Sequence, residues 1–174
     1  MRPVRSTACV LLVTLVLAAG CSGESDAKGS ARALEDSRSA VAQEVRDAVK
    51  ALSYVGLDAS SLSGGFTTCG SKGSGAASVK YAAGGRVEGG DGTLEERIAG
   101  AARLLTASGW TIRRQGETAS GGAYSRLTRS GIELSLDRDR LAGSDAFVLG
   151  ASGDCIEVTD EQADNLPDDD RIVP

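Results

Sequence analysis

Tyr124-Ser125-Arg126-Leu127-Thr128-Arg129-Ser130-Gly131-Ile132-Glu133-Leu134-Ser135-Leu136-Asp137 is the stretch whose reading decides the fold. Ile132, Leu134 and Leu136 alternate with Glu133, Ser135 and Asp137. That period of two belongs to a strand with one buried and one wet face. Residues 124–129 form its partner strand, and Ser130-Gly131 between them predicts a two-residue hairpin turn. An antiparallel ribbon is therefore the seed of the architecture.

Upstream of the hairpin, Thr93-Leu94-Glu95-Glu96 reads as a capping box, in which a hydroxyl and a carboxylate satisfy the first free N–H groups of a helix. Leu94, Ile98, Ala101 and Leu105 line one face of that helix, and Gly109 stands where a C′ glycine belongs. A strand follows at once, with Trp110, Ile112 and Arg114 on one side and Thr111, Arg113 and Gln115 on the other. Residues 116–122 are a glycine-containing loop. Downstream of the hairpin, a charged loop at 138–145 leads to a last strand at 146–151. Thr159-Asp160-Glu161-Gln162 caps a short helix, and Pro167 with Asp168-Asp169-Asp170 opens a solvated acidic tail, 167–174.

Towards the N-terminus, Val79, Tyr81 and Ala83 alternate with Ser78, Lys80 and Ala82, which predicts a strand over 77–87. Gly89-Gly90-Asp91-Gly92 breaks it. Residues 57–75, rich in Ser and Gly, are expected to form a loop through Cys69, with a short extended piece at 65–68. Leu34, Val41, Val45, Ala48, Val49 and Leu52 recur at helical steps and predict a helix over 31–54, ended by Gly56. Residues 22–30 carry no large apolar side chain and read as a flexible tether. The expected order is thus α-β-α-β-β-β-β in one domain, 31–166. Helices between hairpin-linked strands specify an α+β fold, a small, largely antiparallel sheet with helices on one face.

The chain has no histidine, which removes Ser-His and Cys-His nucleophilic pairs and most zinc and copper sites. A Ser-x-x-Lys pattern occurs only as Ser25-Asp26-Ala27-Lys28, inside the tether, where nothing rigid holds it. Gly65-Phe66-Thr67-Thr68-Cys69-Gly70-Ser71-Lys72 is faintly like a phosphate-binding loop, but the lysine falls one residue late and no helical pattern follows. Asp137 and Asp139 have calcium-loop spacing without the third ligand or the glycine, since Arg138, Arg140 and Leu141 occupy the neighbourhood. Glu95-Glu96 is explained by the helix N-terminus, where negative charge is favourable. Trp110, one of six aromatic residues, is expected in the core rather than on a ligand platform. No catalytic residue, metal site or cofactor is expected, and the domain reads as a non-enzymatic binding module. A small-ligand carrier is the alternative, marked by an apolar pocket with a few convergent polar groups. An interaction module is marked instead by an exposed apolar patch or an open sheet edge.

The first twenty residues are built differently. Arg2 and Arg5 precede an apolar run, Ala8 to Ala19, and no acidic residue occurs before Glu24. This is the layout of a signal peptide, 1–20, and the run is shorter than the roughly 20 apolar residues of a spanning helix. Its end, Leu17-Ala18-Ala19-Gly20-Cys21, resembles the lipobox of bacterial lipoproteins. In the usual pattern leucine stands three residues before the cysteine; here Ala18 does, with Leu17 one further back. The resemblance implies that the Cys21 thiol takes a diacylglyceryl group and that the chain is cut just before it. The product would be lipid-anchored on the outer, extracytoplasmic face of the cell membrane. Two or three acyl chains make such an anchor stable, where one is marginal. Arginine outnumbers lysine fifteen to four and Asn165 is the only asparagine. With the lipobox, that composition resembles the small lipoproteins of actinobacteria, a likeness of layout that assigns no functional residue.

Loss of residues 1–20 would leave 17 basic against 24 acidic residues, a balance of −7. An acidic domain without a basic stripe is a poor match for phosphate backbones, so nucleic acid is rejected as a partner and a protein or cell-wall component is expected. Cys9 leaves with the signal and Cys21 is taken by lipid, which leaves Cys69 and Cys155. In an oxidising compartment two remaining thiols read as one structural disulfide, closing the domain and tying the segment before the first strand to that after the last. A redox pair would prefer Cys-x-x-Cys, which is absent.

Overall fold

The computed structural model describes residues 22–69, 77–119, 121–140, 144–167 and 170–172. These form three helices and eight strands in the order α1 (Ser22–Ser53), β1 (Leu57–Thr68), β2 (Ala77–Gly89), α2 (Leu94–Ala107), β3 (Thr111–Glu117), β4 (Ala123–Arg129), β5 (Ile132–Arg138), β6 (Phe147–Ser152), β7 (Ile156–Val158), α3 (Asp160–Asp164) and β8 (Asp170–Arg171). The sheet is antiparallel throughout and runs β3-β4-β5-β6-β2-β1-β8, with the short β7 sharing β2 with β6. It is an open sheet with two edges, not a barrel, and the fold class is α+β as the pattern predicts.

The hairpin is formed as the pattern requires. Arg129 pairs with Ile132, and Ser130 and Gly131 take φ of 51° and 80°. Positive φ at both central positions gives the turn the twist that matches its strands. Ile132, Leu134 and Leu136 are buried, joined by Leu127 and Ser125 of β4 and by Phe147, Leu149 and Ala151 of β6. α2 covers this half of the sheet. Thr93 Oγ1 accepts from Glu96 N–H at 3.2 Å while Glu96 accepts from Thr93 N–H at 2.8 Å, the predicted capping box. At the other end Gly109, φ 96°, lets its N–H reach Thr106 O at 3.0 Å and Trp110 N–H reach Leu105 O at 3.1 Å. That pair of bonds is a Schellman cap, and it folds Trp110, 2% exposed, back onto the helix it terminates. α1 covers the other half with Val41, Val45, Ala48, Val49 and Leu52, against Tyr81, Ala83 and Val87 of β2.

Several boundaries differ from the sequence reading. Residues 57–68 are not a loop but the twelve-residue strand β1. Its alternation is hidden by a bulge: the register shifts between Ser60 and Ser63, and Ser61 adopts φ 55°. Leu57 and Ala59 face inward before the extra residue, Leu62, Gly64 and Phe66 after it. Glycine at 64 is required because a Cβ there would lie 2.2 Å from the Tyr81 hydroxyl. The tether is corrected as well: α1 begins at Ser22, so residues 22–30 continue the helix, and Ser30 Oγ donates to Glu157 O at 3.1 Å. Neither proline nor a cap intervenes to stop it. The acidic tail is not wholly solvated. Asp170–Arg171 pairs with Ser63 and Gly64, and Ile172, 5% exposed, donates its N–H to Leu62 O at 3.0 Å. An apolar residue after the acidic run supplies the reason. The domain therefore extends beyond 31–166 at both ends.

β3 starts one residue later than expected, and a bulge between Ile112 and Arg114 breaks the predicted alternation. Ile112 is 36% exposed, whereas Trp110 packs in the core. The disulfide joins Cys69 to Cys155, S–S 2.04 Å, Cα–Cα 6.2 Å. Cys69 follows β1 rather than preceding the first strand, and Cys155 precedes β7 rather than following the last. β1 and β7 flank β2 on opposite sides, so the bridge spans the N-terminal end of β2.

Candidate binding site

Among the described residues, α1 and α2 cover one face of the sheet and leave the second face open. Two adjacent rows of outward positions cross it. One runs Ser63, Gly84, Gly150, Ser135, Arg126, Arg114 by direct pairing from β1 to β3. The other runs Gly65, Ala82, Ser152, Glu133, Thr128, Thr111. Over β1, β2, β6 and β5 these positions carry almost nothing larger than serine, with Glu133 the exception. Large side chains stand around them: Val148, 38% exposed, Arg86 and Lys80. The result is a trough of about 600 Å³, open to solvent. Neighbouring strands lie about 4.8 Å apart, so a trough across four of them is roughly 14 Å long.

The floor is built, not merely bare. A Cβ on Gly84 would lie 2.1 Å from Leu149 O, and one on Gly150 would lie 3.2 Å from Ser135 Oγ. The first is a distance no side chain tolerates, so Gly84 allows β2 and β6 their close approach. Lys80, half-buried, enters from the β2 side and donates to Ser152 Oγ at 3.5 Å. Ser152 pairs across the strands with Glu133, whose carboxylate has no hydrogen-bond or ion-pair partner among the described residues. The rim beyond is neutralised internally. Arg86 lies 2.8 Å from Glu88 and 3.4 Å from Asp139, and Arg126 lies 2.9 Å from Asp137. Tyr124 sits between Arg114 and Arg126, whose guanidinium carbons are 5.9 and 5.3 Å from its ring centroid.

No protein family, no curated protein and no solved structure matches the chain. The site rests on its own geometry.

Of the residues singled out from sequence, the structure joins Cys69 and Cys155. Cys21 lies outside the described residues. Ser25 and Lys28 fall on α1. Gly65–Thr68 of the phosphate-loop likeness belongs to strand β1, and 70–72 lie outside the described residues. Asp137 and Asp139 are held by Arg126 and Arg86, Glu96 caps α2, and Glu95 is 3.8 Å from Arg138. No helix among the described residues is long and apolar enough to cross a membrane. Lys80, Glu133 and Ser152 were not reached by sequence reasoning. The available signal was the outward series Lys80-Ala82-Gly84 and Val148-Gly150-Ser152, where charged residues would ordinarily cover a wet face.

Proposed function

We propose that this chain is an exported lipoprotein, cut before Cys21 and held on the outer face of the cell membrane, whose domain is a non-enzymatic binding module. The uncovered, recessed face of the sheet carries the binding part of this reading. An antiparallel sheet with one face on the core presents the other to water, and that face is normally studded with charged side chains. Here the floor across four strands is mostly glycine, alanine and serine, with Lys80 and Glu133 beside it, so that a partner can approach the backbone closely. The anchor part rests on Ala18-Ala19-Gly20-Cys21 behind its apolar run. A small-ligand carrier is the second reading, favoured by the trough itself and its two charged side chains.

Site-specific photocrosslinking in cells tests the module. A crosslinker at Val148, on the open face, is expected to capture a discrete partner, while one at the exposed Lys50 of α1 captures none. Equal capture from both positions, or none from Val148, contradicts binding through this face.

A further inference from the structure

We infer that the trough binds a zwitterionic α-amino acid group, with its carboxylate at Lys80 and Ser152 and its ammonium at Glu133. This deepens the binding-face reading above and rests on it. Within one trough the chain places a cation, a hydroxyl and a carboxylate in sequence across three strands. Lys80 Nζ is 3.5 Å from Ser152 Oγ, and Ser152 stands directly opposite Glu133. Directly paired residues have Cβ atoms about 4.5–5.5 Å apart, so the two charges sit within reach of one small molecule. They do not use one another: no ion pair joins Lys80 to Glu133, and the carboxylate of Glu133 is unpartnered among the described residues. The other ionic groups nearby, Arg86 with Asp139 and Arg126 with Asp137, are already paired. Among the described residues, Lys80, held by the Ser152 hydroxyl, and Glu133 are therefore the charges lining the trough that no opposite charge neutralises.

An α-amino acid presents an ammonium and a carboxylate separated by a single carbon, and that spacing matches an anion site and a cation site bridged by a hydroxyl. The remainder of the ligand would extend over Gly84, Gly150 and Ser135, where a Cβ on Gly150 would already touch Ser135 Oγ at 3.2 Å. A volume of about 600 Å³ leaves room for a side chain or a short peptide continuation. Among the described residues the lining offers no aromatic ring on which a sugar could stack.

The test titrates the purified full chain with each of the free L-α-amino acids, following backbone amide NMR shifts. Binding is expected to move the amides of Lys80, Ser135 and Ser152 with at least one of them at millimolar concentration or below. For any that binds, N-acetylation and carboxyl amidation should each weaken affinity about tenfold or more, because each removes one charge-assisted contact. Lys80→Met and Glu133→Gln, on the solvent face, should reproduce those two losses separately. No response to any amino acid at about 10 mM, or affinity indifferent to both caps, overturns the ligand class. If Val148 still crosslinks a partner in cells in that event, the binding face stands and only its ligand is wrong.

Discussion

Arg129 joins three elements that are distant in the chain. Its guanidinium donates to Ser108 O at 2.8 Å, closing the C-terminus of α2, and forms an ion pair with Glu44 of α1. It also lies 4.8 Å from the centre of the Trp110 ring. Arg97, 6% exposed, plays the same part at the other end of α2, donating to Gly89 O at 2.8 Å and Asp145 O at 3.2 Å and pairing with the Asp145 carboxylate. Removing one partner of such a network leaves the others desolvated and unpaired. Arg129→Met is therefore expected to destabilise the fold by about 2–4 kcal/mol in denaturant unfolding; a loss below about 0.5 kcal/mol would show the contacts to be incidental. Ser125 points the other way. It is fully buried and its hydroxyl has no hydrogen-bond partner among the described residues. Ser125→Ala should be neutral or stabilising by about 1 kcal/mol, and a clear loss would mean the hydroxyl is satisfied.

At the scale of elements, local chemistry and tertiary context divided the work unevenly. The capping box at Thr93, the Schellman glycine at 109 and the Ser130-Gly131 turn were all legible, because each is decided by a few adjacent residues. Thr93→Ala is accordingly expected to cost about 1 kcal/mol in thermal or denaturant unfolding, with an unchanged midpoint contradicting the cap. β1 was not legible. Its glycines and serines look like linker composition, and the extra residue at Ser61 breaks the period on which a strand reading depends. Only Tyr81 of β2, lying over Gly64, shows why those small residues belong in a strand. β8 escaped for a related reason: two residues have no period, and their order comes from pairing with β1. The candidate trough was hidden likewise. Lys80, Ser152 and Glu133 come from three strands, and spacing along the chain carries no trace of their meeting.

For the whole molecule, the Cys69–Cys155 bridge and the α1 helix set how the domain is held. The bridge crosses the end of β2 and closes 86 residues of sequence separation. On the chain-entropy account its reduction should cost roughly 4 kcal/mol of stability, read as a fall in the unfolding midpoint under reductant; an unchanged midpoint with both thiols alkylated would contradict a structural role. α1 runs from Ser22 without a break to Ser53, about 48 Å at 1.5 Å per residue. With lipid on Cys21, the anchor would pass straight into this helix, so the trough would be carried on a stiff element rather than on a loose leash. Compartment, oxidised cysteines and choice of partner would all follow from that attachment. Intact-mass analysis of the protein extracted from its native membrane tests it most directly. The mature chain should begin at Cys21 and carry at least a diacylglyceryl group on that sulfur; a chain beginning elsewhere, or one with a bare thiol at Cys21, contradicts the account.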